Sequence, residues 1–379
     1  MIKNLNLVNF RNYTDETLNI NKNVVVLYGN NGSGKTNILE AISILADGKG
    51  LKKATADCLI NNGADKKLWQ IKLTTSIEQI TVSYIRETKG GKKIYKINEE
   101  TVKNLNEFRK NTHIVWLTYE SDRLFLQSPA NRRDFIDMLC NVNDPEHITY
   151  TRAYEKLIRE RMTVLKNDYN EQSEETNKWL DALEAQICDA GLKVAQNRIK
   201  ITQELEKRQI TSENFPKFTN KMTGDLETEV LMIANENNVL DMYRAALKER
   251  RMKDSISGMT TLGVNRSDWV VHYVEKDIDA NQCSAGEQKI LLIGIFLSFI
   301  KNKVENNNWI ILLDDIMAHL DEKYTTILLR HIKEMAKIDH DRINIWLSGT
   351  SRNMFSELEG QGQYFEVKSS KVSEKGKWL

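Results

Sequence analysis

The 379-residue sequence lacks the features that mark membrane, secreted and strongly charged proteins. No apolar run approaches the roughly 20 residues of a membrane-spanning helix, and residues 1–10 carry no apolar core of a secretory signal. With 54 basic and 53 acidic side chains, the net charge of +1 provides no overall attraction to nucleic acid. The four cysteines form no C-x-x-C pair and indicate neither a zinc site nor a disulfide framework: Cys58, Cys140, Cys188 and Cys283. We therefore expect a cytoplasmic globular protein in which any nucleic-acid site is a local patch.

A glycine-rich loop stands between a predicted strand and a predicted helix. Val24–Tyr28 is apolar, and residues 37–46 place apolar side chains at helical spacing. Lys35 is expected to contact the β and γ phosphates of a nucleotide, and Thr36 to ligate Mg²⁺. The loop itself has the P-loop pattern, which holds phosphate through backbone N–H groups and a helix N-terminus: Gly29, Asn30, Asn31, Gly32, Ser33, Gly34, Lys35 and Thr36.

A pair of carboxylates follows a second apolar run. Residues 310–313 are continuously apolar, which is typical of a fully buried parallel strand, and the run ends in Asp314 and Asp315. In P-loop ATPases an aspartate at this place holds the Mg²⁺ shell, and a further side chain orients the attacking water. The pattern predicts a Walker B motif, with Asp314 as metal ligand and Asp315 as candidate base.

Residues 284–288 read Ser-Ala-Gly-Glu-Gln and open another apolar stretch. Serine followed three residues later by glutamate is a capping box at a helix N-terminus. The same residues match the signature motif of ABC-type ATPases, which binds the γ-phosphate held by a second subunit. The two interpretations are compatible, and the order of motifs along the chain favours the signature. Ser284, Gly286 and Gln288 are therefore predicted nucleotide contacts, and residues 316–321 resemble the D-loop of such enzymes.

Helical periodicity at 144–209 and 229–253 interrupts a sequence that is otherwise rich in strand signals. A hairpin turn is predicted at residues 89–92. The fold class is α/β, with one ATPase domain interrupted by a helical arm. The predicted strands are Ile2–Phe10, Val24–Tyr28, 69–76, 79–86, 93–97, 270–274 and the segments around Trp309 and Ile343.

Taken in order, these motifs resemble the RecF family of ABC-type recombination mediators, which is related to the heads of SMC and Rad50 proteins. The supporting segments are 7–13, the P-loop, 122–124, 128–135 and 284–321. The resemblance implies an ABC-type P-loop ATPase head (lobe I) formed by residues 1–120 and 258–379, and an α-helical arm (lobe II) formed by 121–257.

The resemblance also implies a function. ATP and Mg²⁺ would be the cofactors, and ATP would drive formation of a homodimer that clamps gapped or double-stranded DNA without regard to sequence. Weak, DNA-stimulated ATP hydrolysis would reset the clamp. The cellular role would be the loading of RecA, with RecR and RecO as partners and no membrane involved.

Several positions depart from the family pattern. Asp315 stands where many ABC ATPases carry glutamate, so its carboxylate is one methylene short and hydrolysis is expected to be slow. Residues 263–266 and 118–121 differ from the corresponding family segments. After residues 343–347 there is no switch histidine, and Ser348 and Thr350 stand in that loop. The missing histidine argues against the first rival function, a transporter ATPase subunit. A nonhydrolysing ATP-binding scaffold is the second rival.

Basic residues that could contact DNA phosphates occur in short clusters, and each could equally form a solvated surface. Lys49, Lys52 and Lys53 follow the P-loop helix and are the favoured group, because they lie next to the nucleotide-binding segment. The other candidates are Arg132, Arg133 and, on the arm, Arg159 and Arg161.

Overall fold

The computed structural model describes residues 1–47, 50–65, 67–87, 90–167, 173–210, 215–233, 235, 238–301, 303, 307–318, 320–338 and 341–376. The chain divides into two compact units, Met1–Asp122 with Ile300–Leu379, and Arg123–Phe299. Among the described helices, none has the length and apolar character needed to cross a membrane.

The elements are numbered in chain order. The helices are α1 (Lys35–Asp47), α2 (Asn106–Asn111), α3 (Pro129–Asn143), α4 (His147–Asn167), α5 (Glu174–Lys207), α6 (Val239–Glu249), α7 (Arg251–Ser257), α8 (Ala285–Lys301) and α9 (Glu322–Ile338). The strands are β1 (Ile2–Phe10), β2 (Tyr13–Asn19), β3 (Val24–Tyr28), β4 (Leu68–Thr75), β5 (Gln79–Glu87), β6 (Gly90–Ile97), β7 (Glu100–Val102), β8 (Thr112–Thr118), β9 (Phe218–Thr223), β10 (Asp268–Tyr273), β11 (Ile278–Asp279), β12 (Asn308–Asp314), β13 (Ile343–Gly349), β14 (Gly362–Lys368) and β15 (Lys371–Lys375).

The described part of the first unit contains two six-stranded sheets. One is antiparallel, in the order β2-β1-β4-β5-β6-β7, and the other has the order β15-β14-β3-β13-β12-β8. In the second sheet every neighbouring pair from β14 to β8 is parallel, and β15 is antiparallel to β14. Because the carboxyl ends of parallel strands share one edge, the residues that follow β3, β8, β12 and β13 meet there.

Helix α1 supplies much of the core between these strands. Its side chains Ile38, Ile42 and Leu45 are fully buried, in one cluster with residues from both sheets. The apolar periodicity predicted from sequence for this helix is therefore confirmed, as are the bounds of β1 and β3.

The predicted hairpin between β5 and β6 is present, but the predicted bounds of its turn need correction. Gly90 pairs with Glu87 and opens β6, so residues 90–92 belong to the strand. Lys89, the first residue of the predicted turn, lies outside the described residues. Glycine is tolerated at this strand end, where its φ of +120° would strain other residues.

The second unit contains the predicted arm helices and a small sheet of its own. Helix α4 packs on α5 over the predicted helical region, which confirms that region as helical. The strand predicted at 270–274 is β10, and it pairs with β9 and β11 in a three-stranded sheet. Among the described strands, β9 and β11 are its pairing partners.

This pairing explains a difference between the predicted lobes and the observed units. The sequence interpretation assigned residues 258–299 to the head, whereas the second unit extends to Phe299. The ladder from Phe218 with Tyr273 to Thr223 with Asp268 ties this segment to the arm. The sequence of β9 carries only a weak strand signal, so its pairing with β10 was not predicted.

A buried charge cluster holds the arm helices together. Arg161 on α4 is fully buried and donates to Glu184 Oε1 at 2.9 Å and to Asp254 Oδ2 at 2.7 Å. Arg251 donates to both oxygens of the same Glu184. Complete burial excludes the DNA contact that the sequence allowed for Arg161.

Replacing Arg161 by methionine should destabilise the second unit by about 3 to 5 kcal/mol, because Glu184 and Asp254 would lose a buried counter-ion. The matched control is Lys156→Met on the same helix, whose ion pair with Glu160 is exposed and should change stability by less than about 0.5 kcal/mol. Urea unfolding followed by circular dichroism measures both. Equal midpoints for the two variants would contradict a stabilising role for the cluster.

Candidate functional site

A cavity of about 490 Å³ opens at the carboxyl edge of the parallel sheet. Three chain segments bring the predicted phosphate and metal residues to its wall: the P-loop after β3, the end of β12 and the end of β8. The wall includes Asn31, Gly32, Gly34, Lys35, Thr36, Asp314 and Asp315. Residues separated by some 280 positions thus share one site, as the sequence predicted for a P-loop and a Walker B motif.

The ammonium of Lys35 is held by the loop that precedes it. Its Nζ donates to the carbonyl oxygens of Gly29 at 2.7 Å and Asn30 at 3.0 Å. Burial lowers the pKa of Lys35, and the nearby carboxylates of Asp315 and Asp314 oppose that shift. A cation whose protein partners are neutral carbonyls keeps its charge available for phosphate oxygens.

Backbone geometry requires glycine at the end of the loop. Gly34 has φ of +117°, and a Cβ there would lie 2.4 Å from Asn12 Nδ2 and 2.5 Å from the Tyr13 hydroxyl. Asn12 also holds the loop directly, because its Nδ2 donates to Ser33 O at 3.3 Å and to Ser370 Oγ at 2.8 Å. The N-terminal segment 7–13, which the sequence offered only as a family mark, therefore shapes the phosphate loop.

The Walker B carboxylates occupy different environments. Asp314 Oδ1 accepts hydrogen bonds from Thr36 Oγ1 at 3.0 Å and Ser348 Oγ at 2.7 Å. Burial raises the pKa of Asp314, and the two hydroxyl donors oppose that shift. Asp315 is half-buried with a left-handed φ of +56°, and within the described residues its Oδ1 is buried without a hydrogen-bond partner.

This donor set fits Mg²⁺. The ion prefers oxygen ligands, usually one or two protein groups together with phosphate oxygens and water. Thr36 and Asp314 place a hydroxyl and a carboxylate oxygen side by side, and the unpartnered oxygen of Asp315 adds negative charge in the same cavity. Bound there, Mg²⁺ would neutralise phosphate charge.

Comparison with known proteins identifies the family. Residues 1–340 match the model of the RecF/RecN/SMC N terminal domain. The DNA replication and repair protein RecF of Mesorhizobium japonicum (strain LMG 29417 / CECT 9101 / MAFF 303099) is 33% identical over 381 residues, covering 97% of this chain and 96% of that protein. RecF of Rickettsia conorii (strain ATCC VR-613 / Malish 7) is 32% identical over 357 residues, or 92% and 94% of the two chains. The chain belongs to the RecF family.

A solved structure of the recombination mediator protein RecF with ATP, described as part of the RecFOR pathway, has the same fold. Its TM-score is 0.81 at 21% identity, with 99% of this chain and 97% of that chain covered. The family and the fold class predicted from the motifs are confirmed.

The signature segment of this RecF family member forms the capping box. Ser284 N and Oγ both donate to Glu287 Oε2 at 2.9 Å, and Glu287 N donates back to Ser284 Oγ at 3.4 Å. Ser284 and Gly286 remain exposed at the start of α8. Gln288 is buried and donates to Cys283 O at 2.8 Å, so its side chain stabilises the turn instead of facing outward.

Several residues of the cavity were missed from sequence. Asn37, Leu51, Thr118, Tyr119 and Glu120 line it. The last three follow β8, and Thr118 lies beside Asp314 in the parallel ladder. A strand prediction at 112–118 would have brought them to the same edge, but the departure of residues 118–121 from the family pattern obscured them.

Among the basic residues predicted to contact DNA, Lys52 lies in the cavity wall. Its Nζ donates to Asn37 Oδ1 at 2.9 Å. Lys53 is exposed, whereas Lys49 lies outside the described residues. Its position in the cavity wall favours a contact with nucleotide over a contact with DNA.

The two arginines of α3 are engaged within the second unit. Arg132 binds both carboxylate oxygens of Asp268 at 2.7 Å, and Arg133 donates to Ser267 O at 2.6 Å. Burial lowers the pKa of Arg133. These contacts tie α3 to the segment at β10. Arg132 also donates to the carbonyl oxygens of Phe125 and Gln127, so little of its guanidinium is left for phosphate.

Lys35→Ala should abolish ATP binding, because it removes the cation that faces the phosphate site. The fold should survive, since the lost hydrogen bonds go only to two carbonyls of the loop. Lys22→Ala is the matched control: its Nζ also donates to two carbonyls, of Gly360 and Gly362, but it is not part of the cavity wall. Calorimetric titration with ATP measures both variants. Wild-type affinity in a folded Lys35→Ala protein would reject the P-loop assignment.

Proposed function

We propose that the protein is an ATP-dependent, sequence-independent DNA-binding recombination mediator of RecF type. In this proposal Lys35, Thr36 and Asp314 bind ATP with Mg²⁺, and Asp315 is the base of a weak, DNA-stimulated ATPase. The observation that carries the proposal is the cavity in which the P-loop meets both aspartates.

ATP would act across two copies of the chain. The nucleotide held by one copy would be closed over by Ser284 and Gly286 of the other, and the closed dimer would clamp DNA. Exposure of both residues at the N-terminus of α8 supports this step, because a helix N-terminus attracts phosphate. Hydrolysis would then release the clamp.

The relatives named above are DNA replication and repair proteins, which supports a cellular role in the same processes. The protein would work in the cytoplasm during DNA repair and replication restart, promoting RecA loading at gaps together with RecR and RecO. The candidate DNA contacts are Lys53, whose side chain is exposed, and Lys49, which lies near it in the sequence. Arg132 is less suited to DNA contact, since its guanidinium binds Asp268, and one donor of Arg133 is engaged by Ser267 O.

The two rival functions differ in measurable ways. A transporter ATPase would need a membrane partner and a switch histidine, and Ser348 of this chain is committed to Asp314 and Asp315. A nonhydrolysing scaffold would bind ATP and assemble without releasing phosphate. Sedimentation with and without ATP tests assembly, a phosphate-release assay separates the scaffold from the two ATPases, and ATP-dependent DNA binding separates a mediator from a transporter subunit.

Asp315→Asn should retain ATP and Mg²⁺ but lose activation of water, so ATP-dependent dimers and their DNA complexes should persist longer. Asparagine tolerates the left-handed backbone at this position, which keeps the fold intact. Phosphate release and DNA dissociation are the measurements, and Glu107→Gln, at an exposed position of α2, is the charge-matched control. Hydrolysis at the wild-type rate would exclude Asp315 as the base.

Ser284→Arg should leave ATP binding by the monomer intact and prevent ATP-dependent dimerisation, because a bulky side chain would replace a hydroxyl at a close phosphate contact. Loss of the helix cap alone would cost about 1 kcal/mol of stability and leave assembly unchanged. Sedimentation velocity with ATP distinguishes the two results. Normal dimers of this variant would remove the composite site from the proposal.

A mixture of Ser284→Arg and Lys35→Ala proteins tests action across the interface. Their heterodimer would contain one site with an intact P-loop and an intact opposing signature. Partial recovery of ATP-dependent assembly is expected only for the mixture, and no recovery would mean that one copy supplies both parts.

A further inference from the structure

Ser348 has a place in the site that neither the P-loop nor the Walker B pattern assigns. It lies near the end of β13, is 1% exposed, and its Oγ contacts both aspartates. The hydroxyl donates to Asp314 Oδ1 at 2.7 Å, and it accepts the backbone N–H of Asp315 at 2.9 Å.

The direction of these two bonds is fixed. A backbone N–H can only donate, so Ser348 must accept from Asp315, and its single hydroxyl proton is left for Asp314. Asp314 Oδ1 also accepts from Thr36, so this oxygen receives two hydroxyl donors. Two hydroxyl donors on one oxygen hold the carboxylate of Asp314 in one orientation.

The bond to Asp315 fixes its backbone. Asp315 is in the left-handed region with φ of +56°, where a non-glycine residue needs support from its surroundings. Its shorter side chain has one rotatable bond fewer than glutamate, so the reach of its carboxylate depends more on the backbone. The carboxylate lies in the cavity wall, where Oδ1 is buried and lacks a partner among the described residues.

We propose that Ser348 is a positioning residue that couples the metal ligand Asp314 to the candidate base Asp315. This inference rests on the proposed ATPase function and deepens it. One hydroxyl holds the Asp314 carboxylate in place for Mg²⁺ and holds the backbone that directs the Asp315 carboxylate into the cavity.

The first test compares Ser348→Ala with Ser348→Thr, which keeps an Oγ. In the alanine variant ATP hydrolysis should fall on the order of tenfold, the expected effect of losing one hydrogen bond to a charged group. ATP binding should need more Mg²⁺, because Asp314 loses one of the two hydroxyl donors that orient its carboxylate. The threonine variant should restore both properties.

Ser348→Ala and Ser348→Thr leave the charged groups around Asp314 unchanged. These groups are Lys35 on α1, Lys52 after it and Asp315 beside it. A change in the Mg²⁺ concentration needed for ATP binding therefore reports the missing hydroxyl, and a merely structural role would lower the melting temperature without moving that concentration.

A double-mutant comparison tests the link to Asp315. At saturating Mg²⁺, where the effect on Asp314 is compensated, adding Ser348→Ala to Asp315→Asn should cause no further loss of hydrolysis, because both changes remove the same positioned carboxylate. A full further tenfold loss would overturn the coupling, as would wild-type hydrolysis and Mg²⁺ dependence in Ser348→Ala. This comparison holds even where the threonine variant fails to fold.

A failure of the proposed ATPase function can be distinguished from a failure of the inference about Ser348. A wild-type protein that binds ATP but releases no phosphate would reject the ATPase, and with it the part of the inference that concerns Asp315. The Mg²⁺ dependence of ATP binding would still decide whether Ser348 supports Asp314.

Discussion

The site depends on one carboxylate oxygen. Asp314 Oδ1 receives the hydroxyl protons of Thr36 and Ser348, which lie 278 and 34 positions away along the chain. A buried carboxylate without donors would be costly, so the two hydroxyls make its position at the end of β12 tolerable. They also fix the P-loop helix, β12 and β13 relative to one another at the edge where phosphate and metal would meet. Lys35, on the same helix as Thr36, is placed by the same contact.

Sequence patterns were sufficient for the parts of the site built from consecutive residues. The strand, loop and helix around Lys35 and the apolar run ending in Asp314 each carry their own signal, and parallel pairing brings both ends to one edge. Asn12, Glu120 and Ser348 could not be assigned from their neighbours in sequence. Their roles come from tertiary contacts, such as the hydrogen bonds from Asn12 to Ser33 and Ser370. For the same reason, the pairing of β10 with β9 moved residues 258–299 into the arm unit.

The segment at Ser284 shows how one set of residues can satisfy two demands. Glu287 accepts hydrogen bonds from both donors of Ser284 and forms an ion pair with Lys276. The interaction with Lys276, followed by the hydrogen bonds from Ser284, lowers the pKa of Glu287 to about 2. Its folded-state pKa is depressed, so its stabilising contribution is present at neutral pH and is lost only as pH falls toward that value. The cap therefore keeps the turn ordered near neutrality while Ser284 and Gly286 stay exposed at the N-terminus of α8.

The topology of the parallel sheet has a consequence for synthesis. Strand β3 leads into the P-loop, yet its two neighbours are β13 and β14, and Asn12 finds its partner Ser370 358 positions later. At about 5 to 20 residues per second, a ribosome needs roughly 15 to 60 s to add on the order of 300 residues. During that time the nascent P-loop has none of these strands beside it and cannot fold around a nucleotide. ATP can therefore stabilise this unit only after nearly all of its chain has emerged, and a chaperone would find β3 unpaired until then.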